Sequence, residues 1–196
     1  MTMEAEIGRL PCDIASLVCA YALEGEPDLL LVQVARKGDE WAARWLAREY
    51  MHALAPTIAF AGKNDALYVA CAGGHLAMAQ WLVAAFRPTG GSVRNLHSEA
   101  DIAMCAACEN GHLEIAQWLA ATFGITAEDV RDGYNYFLRE ACVRGHLEVA
   151  QWMTAAFGLT AEDAGASNGY AAQRAKENGH HEVVQWLATE FGIAVD

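Results

Sequence analysis

Apolar residues recur along this chain at a spacing that suits helices. In the segment 113–123 they return every three or four positions, whereas Glu114 and Gln117 fall on the opposite face. No segment shows the sustained alternation expected of a strand. The pattern predicts an amphipathic helix whose core-facing residues are Leu113, Ile115, Ala116, Leu119 and Phe123.

A sequence motif similar to segment 113–123 recurs along the chain, each time shortly after a glycine. The glycines Gly38, Gly74, Gly111, Gly145 and Gly179 are separated by 36, 37, 34 and 34 residues, a period typical of two-helix solenoid repeats. We therefore predict about five helix–turn–helix repeats. The predicted boundaries are an N-terminal capping helix at 1–27 and a solenoid at 28–196, with repeats at approximately 28–63, 64–100, 101–134, 135–168 and 169–196.

Helix-terminating residues recur in the same register. A glycine without Cβ accepts the left-handed conformation that ends a helix, so the repeated glycine is predicted to end each first helix. The "FG" words are predicted to end second helices at Gly124, Gly158 and Gly192. Capping residues for the first helices are expected ten positions before the repeated glycine, at Asp28, Asn64, Asp101 and Asn135.

The words "ACENGHLEIAQWL" and "ACVRGHLEVAQWM" resemble the ankyrin-repeat family over roughly residues 28–196. This resemblance implies an all-α helix–turn–helix solenoid that binds proteins. The family's "TPLH" opening is replaced by "IAMC" at Ile102 and "YFLR" at Tyr136. The Ala-rich wording is also similar to the ankyrin arrays of giant DNA viruses that infect amoebae.

The loop tips differ from the family pattern as well. Where the family usually has a β-hairpin, "TAED" follows at Thr126 and Thr160. Thr followed by Glu and Asp is N-terminal capping chemistry, which favours helical tips over hairpins.

The N-terminal words "LPCDIASLVCAYAL" permit two interpretations. Their apolar spacing predicts a helix that covers the first repeat. Their start also resembles an F-box, a segment that binds the linker protein of a ubiquitin ligase. We favour the capping helix, because only about fourteen residues carry the alternative.

Charge and composition narrow the range of partners. The 25 acidic and 13 basic residues give a formal net charge of −12, which opposes binding to a phosphate backbone, so no nucleic-acid partner is expected. No apolar run is long enough to span a membrane, and the start lacks the character of a secretory signal. We expect no membrane association and an intracellular, cytoplasmic location, in the host cell if the protein is viral.

The motifs that suggest chemistry have structural explanations. "CAAC" at Cys105–Cys108 has redox spacing, but the thioredoxin setting needs a strand before the helix, so buried, reduced packing residues are expected. "HEVVQ" at His181 lacks the second histidine of a zinc-protease motif. The repeated histidines are predicted to form hydrogen bonds at the turns. No catalytic site, metal or cofactor is predicted. The tryptophan ladder is interpreted as core between repeats, at Trp45, Trp81, Trp118, Trp152 and Trp186.

A binding module is therefore the leading interpretation. The resemblance implies a concave surface built from first helices and loop tips, and the two residues before each glycine vary between repeats. Acidic residues at the tips are expected to attract a basic surface of an unidentified partner protein. The alternatives are an F-box-like adaptor and a structural or self-assembling component. The candidate protein-binding residues are Arg36, Lys37, Glu109, Asn110, Glu128, Asp129, Asp132, Tyr134, Tyr136, Val143, Arg144, Glu162, Asp163, Tyr170, Glu177 and Asn178.

Overall fold

A computed structural model describes residues 27–50, 65–86 and 93–193, and the regular structure in these ranges is entirely α-helical. The chain divides into two compact units, Met1–Gly91 and Ser92–Asp196. The helices of the first unit are α1 (Pro27–Lys37), α2 (Glu40–Tyr50), α3 (Ala66–Ala72) and α4 (Leu76–Phe86). Those of the second are α5 (Val93–Glu109), α6 (Leu113–Phe123), α7 (Ala127–Val143), α8 (Leu147–Phe157), α9 (Ala161–Ala164), α10 (Ala166–Glu177) and α11 (His181–Phe191).

Within each unit, helices pair across the predicted glycine turns. In the second unit α5 packs against α6, α7 against α8 and α10 against α11, and the first helices stack in the order α5, α7, α10. We call α5, α7 and α10 the inner helices and α6, α8 and α11 the outer helices. The turn glycines Gly111, Gly145 and Gly179 have φ values of 75°, 82° and 80°, which confirms their predicted left-handed conformation.

The outer helices end as the sequence predicts. Gly124, Gly158 and Gly192 are left-handed C-terminal residues, with φ of 65°, 59° and 68°. The following Ile125 and Leu159 turn back into the core and are buried, as is usual beside a glycine cap.

The predicted starts of the inner helices are wrong. Asp101 lies inside α5, and Asn135 lies inside α7, which begins eight residues earlier after a capping box at Thr126. Asn135 instead takes a left-handed φ of 55°, and Gly169, at the same register of the next repeat, has a φ of 71°. Asn and Gly tolerate this conformation best. In these two repeats the signal marks a left-handed residue within the inner segment, whereas Asp101 in α5 has no positive φ.

The same prediction also misplaced the caps in the first unit. Asp28 is the second residue of α1, and Asn64 lies outside the described residues. Asp65 caps α3 instead, because its Oδ1 accepts a hydrogen bond from the Tyr68 backbone at 2.6 Å.

The loop tips that the structure describes are helical, as their capping chemistry predicts. At both Thr126 and Thr160 the side chain accepts from the backbone of the third following residue, and the carboxylate there accepts from the threonine backbone. The inner segments 127–143 and 161–177 consequently run across the positions at which the sequence placed repeat boundaries.

The core of the second unit comes mainly from repeated apolar positions. The corresponding residues Leu119, Met153 and Leu187 are completely buried in successive outer helices. Full burial of such a side chain stabilises the fold by about 1.5–3 kcal/mol. Among the described residues of the first unit, the largest fully buried side chains are Leu30, Leu31, Leu46, Leu67, Met78 and Leu82.

The tryptophan interpretation is confirmed for Trp45, which is buried. The corresponding tryptophans of the later repeats are only half-buried. Each packs edge-to-face against the phenylalanine five residues later, with ring centroids 5.5 to 6.5 Å apart. The ladder therefore lies at the edge of the core, at Trp81, Trp118, Trp152 and Trp186.

The N-terminal cap predicted at 1–27, with its F-box-like alternative, lies outside the described part of the chain except for Pro27, which begins α1. Among the helices in the described ranges, none is both long enough and apolar enough to cross a membrane.

Candidate protein-binding surface

The turn histidines join neighbouring repeats. His146 lies over Gly111, and its Nε2–H donates to the Glu109 carbonyl at 3.0 Å. His75 makes the corresponding bond to Arg36 at 3.1 Å. Because a carbonyl only accepts, Nε2 carries the proton in this arrangement. These contacts confirm the predicted hydrogen-bonding role for the two histidines.

The electrostatic setting of His146 favours the neutral ring. Loss of solvent is the main cause that lowers the pKa of His146, and nearby Arg144, His112 and His180 lower it further, while the bond to Glu109 acts in the opposite direction. In the described ranges no group of three or more His, Cys, Asp or Glu side chains is arranged to hold a metal ion.

The cysteines of the inner helices are packing residues. Cys108 and Cys142 are buried, Cys105 is half-buried, and all three are unoxidised. Burial raises the pKa of Cys142 to about 12, and it raises the pKa of Cys108 strongly as well. A reactive thiol needs a lowered pKa, so the packing role is confirmed for Cys108 and Cys142, whereas Cys105 is not fully buried as predicted.

Two of the acidic tip residues complete the helix caps. Asp129 accepts from the Thr126 backbone at 2.7 Å, and Asp163 accepts from the Thr160 backbone at 2.8 Å. Asp163 also pairs with Arg131 of α7 at 3.1 Å. Partial burial alone would raise the pKa of Asp163, but the hydrogen bonds from Thr160 and Arg131 lower it. These carboxylates are therefore already used within the fold.

The inner helices bring two tyrosines and an arginine together. The guanidinium of Arg139 lies over the Tyr136 ring at 4.9 Å and over the Tyr170 ring at 5.7 Å, measured to the ring centroids. Such contacts are attractive because the ring face is electron-rich. Tyr170 is 43% exposed. We call Tyr136, Arg139 and Tyr170 the tyrosine–arginine cluster.

Ion pairs and a phenol hydrogen bond surround this cluster. The Tyr136 hydroxyl donates to Glu109 at 3.0 Å, and Arg144 approaches Glu109 at 3.3 Å and Glu140 at 3.6 Å. Burial, with the carboxylates of Glu109 and Glu140 nearby, raises the pKa of Tyr136 to about 12. The hydroxyl therefore remains protonated at neutral pH.

The remaining candidate residues lie in several places. Arg36 and Lys37 are exposed at the end of α1, in the first unit. The two asparagines serve the fold, since Asn110 donates to the Ala106 carbonyl and Asn178 to the Val143 carbonyl, both at 2.8 Å. Val143 is half-buried, Glu128, Glu162 and Glu177 are exposed, and the side chains of Asp132 and Tyr134 lie outside the described set.

Sequence reasoning missed Arg139 and Arg174. The predicted surface comprised the two positions before each glycine, the acidic tips and three tyrosines, whereas Arg139 lies six positions before Gly145. That register holds Cys105, Arg139 and Gln173 in successive repeats. The variation between repeats at this register, one to two helical turns before the glycine, is the signal that could have identified Arg139.

Stacked helix–turn–helix units with a solvent-accessible inner face define a helical repeat protein. A family model for ankyrin repeats, in three copies, matches residues 30–129. The chain belongs to the ankyrin-repeat family, whose members are generally protein–protein interaction modules and typically non-catalytic. A comparison with curated proteins finds no match.

Proposed function

We propose that this chain is a non-catalytic scaffold that binds a partner protein through the inner helices of its second unit. The observation that carries the proposal is the tyrosine–arginine cluster on α7 and α10. Tyr and Arg are the residue types that, with Trp, contribute most to protein–protein affinity. The guanidinium here already contacts both rings through cation–π interactions, and such mutual contacts reduce the entropy lost on binding.

The comparison between repeats also supports this surface. The register of Tyr136 and Tyr170 holds Ile102 in α5, and the register of Arg139 holds Cys105. Packing alone requires no such change from small or apolar residues to large polar ones. Among the described residues of the second unit, Tyr170 is the one large apolar side chain that is exposed to solvent.

Photo-crosslinking tests the proposal directly. A benzoylphenylalanine replaces Tyr170 in one variant and Gln151, an exposed residue of outer helix α8, in the other. Irradiation in the cell that makes the protein should give a discrete adduct with one protein from position 170 and none from position 151. Adducts that form mainly from position 151 would place the partner on the outer helices and contradict the proposal.

The acidic tips remain a separate proposal for attracting a basic partner. Asp129 and Asp163 complete capping boxes, so the sharper variant changes the exposed Glu128 and Glu162, each to lysine. If the tips steer the encounter, association should slow at low salt. Lysine at the exposed outer-helix residues Glu114 and Glu148 is the matched control. Equal rates for the two pairs would leave the tips as capping chemistry.

Two other functions are kept as proposals. An F-box-like adaptor role rests on the N-terminal words within residues 10–23. It predicts co-purification with the ubiquitin-ligase linker protein that is lost when residues 1–27 are deleted. A self-assembling component predicts a mass in solution that increases with protein concentration.

A further inference from the structure

Arg139 is the unusual member of the tyrosine–arginine cluster. Its Nε is buried and lacks a hydrogen-bond partner. Among the described residues, the carboxylate of Glu140 is the one paired with this nitrogen, and at 3.9 Å it lies beyond hydrogen-bond distance. A guanidinium carries five N–H donors, and within the described part of the chain the recorded contacts of Arg139 are this distant ion pair and the two aromatic rings.

The groups around Arg139 are committed elsewhere. The Tyr136 hydroxyl donates to Glu109, and Glu109 and Glu140 both approach Arg144. Arg174 of α10 pairs with Glu177. Arg139 is therefore the arginine of the inner helices whose hydrogen-bonding capacity the described fold does not use, and a buried donor without an acceptor destabilises the free protein.

We propose that Arg139 binds a side-chain carboxylate, from an aspartate or glutamate of the partner protein. The inference rests on the proposed function, because it names the chemistry that the inner face recognises. The guanidinium carbon lies over both tyrosine rings, and the Arg139 side chain keeps 23% of its surface exposed. Its N–H donors, which lie in the guanidinium plane, suit the two oxygens of a carboxylate.

The surrounding charge favours a single carboxylate over a more highly charged group. Glu109, Glu140 and Glu177 lie on the same inner face. Each would repel an incoming anion, and the repulsion grows with the charge of the ligand. A carboxylate carries one charge and takes two hydrogen bonds from Arg139, whereas a phosphate group would carry nearly two charges at neutral pH.

A displayed peptide library tests this inference. The full chain is used to select from random dodecapeptides with a blocked C-terminus and, in a parallel arm, from peptides with a free C-terminus. Peptides that bind should be enriched in an aspartate or glutamate in the blocked arm. Their affinity should fall about tenfold when that residue is changed to Asn or Gln, because the charged bidentate contact is lost.

Matched variants assign the effect to Arg139. Arg139→Lys keeps the positive charge but lacks the planar N–H donors of a guanidinium. It should therefore lower the affinity for the acidic peptides about tenfold. Arg131→Lys, on the same helix α7 but paired with Asp163, should leave their affinity within about twofold. Circular dichroism and a thermal unfolding curve for each variant verify that both remain folded.

The outcomes separate the inference from the proposed function. Peptides that depend on Tyr170 but need no acidic residue would overturn the role of Arg139 and leave the inner face as the binding site. Enrichment confined to peptides with a free C-terminus would also overturn the role of Arg139. The same holds if no acidic peptide selected from the library depends on Arg139 for binding. Crosslinks from position 151 in place of 170 would overturn the proposed function itself.

Discussion

The inner and outer helices of the second unit follow different rules. The outer helices repeat nearly the same words, and their corresponding residues Ile115, Val149 and Val183 are all buried. The inner helices keep their buried residues but change the register six positions before the glycine, where Arg139 stands between Cys105 and Gln173. Repetition therefore marks packing between repeats, and its interruption on a solvent-facing helix marks a candidate binding surface.

The largest expected effect on stability comes from removing a repeated packing residue. Leu119 is completely buried in α6, so Leu119→Ala should lower the free energy of unfolding by about 2–5 kcal/mol, since it leaves a cavity. Gln117→Ala on the exposed face of the same helix should change it by less than about 0.5 kcal/mol. Urea unfolding measures both variants. Similar losses from the two changes would remove the distinction between packing and surface positions.

Two turn glycines isolate the contact between repeats. A Cβ at Gly145 would collide with the His180 ring, whereas a Cβ at Gly179 would meet nothing within 4 Å. Their φ values, 82° and 80°, are nearly the same. Both alanine variants should lose about 1–2 kcal/mol from backbone strain, and Gly145→Ala should lose measurably more. Equal unfolding free energies would show that the histidine moves aside without cost.

Helix caps give the next smaller effect. Thr126→Ala and Thr160→Ala each remove the side-chain oxygen of a capping box, and each should cost about 1 kcal/mol. This loss should appear as a lower midpoint of thermal unfolding, monitored by circular dichroism. Thr189→Ala, at an exposed site on α11, is the control. A control that loses as much as the cap variants would argue against the capping boxes as the cause.

The smallest effect concerns pH. Burial holds the pKa of His146 below its ordinary value, so the unfolded chain takes up this proton first as the pH falls. Stability should therefore decrease as the pH falls through the ordinary histidine range near 6.5. His146→Gln should make the unfolding midpoint less dependent on pH between about 7.5 and 5.5. An unchanged slope would show that His146 makes no contribution.

The sequence predicts the repeated features well because they are local. Helical spacing, left-handed glycines and the capping boxes of "TAED" each depend on a few neighbouring residues, and the structure shows all three. The prediction of where the inner helices start failed, because one segment can contain two residues that are each typical of a helix start. Thr126 begins a helix that continues through the left-handed Asn135, and neighbouring residues alone do not reveal whether such a position begins a helix or breaks one.

The candidate surface was only partly predictable. Tyr136, Tyr170, Glu109 and Arg144 were expected to take part, but the contact of Arg139 with Tyr170 depends on how α7 packs against α10. These two residues are more than thirty positions apart in the sequence. One sequence shows which residues vary, but the packing of the helices decides which of them meet.

The most direct test compares the two faces for affinity. With the partner identified by crosslinking at position 170, one variant combines Tyr170→Ala and Gln173→Ala on α10, and the other combines Gln151→Ala and Gln185→Ala on the outer helices; all four residues are exposed. We predict at least about a tenfold increase in the dissociation constant for the inner pair, because Tyr170 is an aromatic anchor. The outer pair should stay within about twofold. An outer pair that weakens binding as much as the inner pair, with both variants folded, would contradict the account.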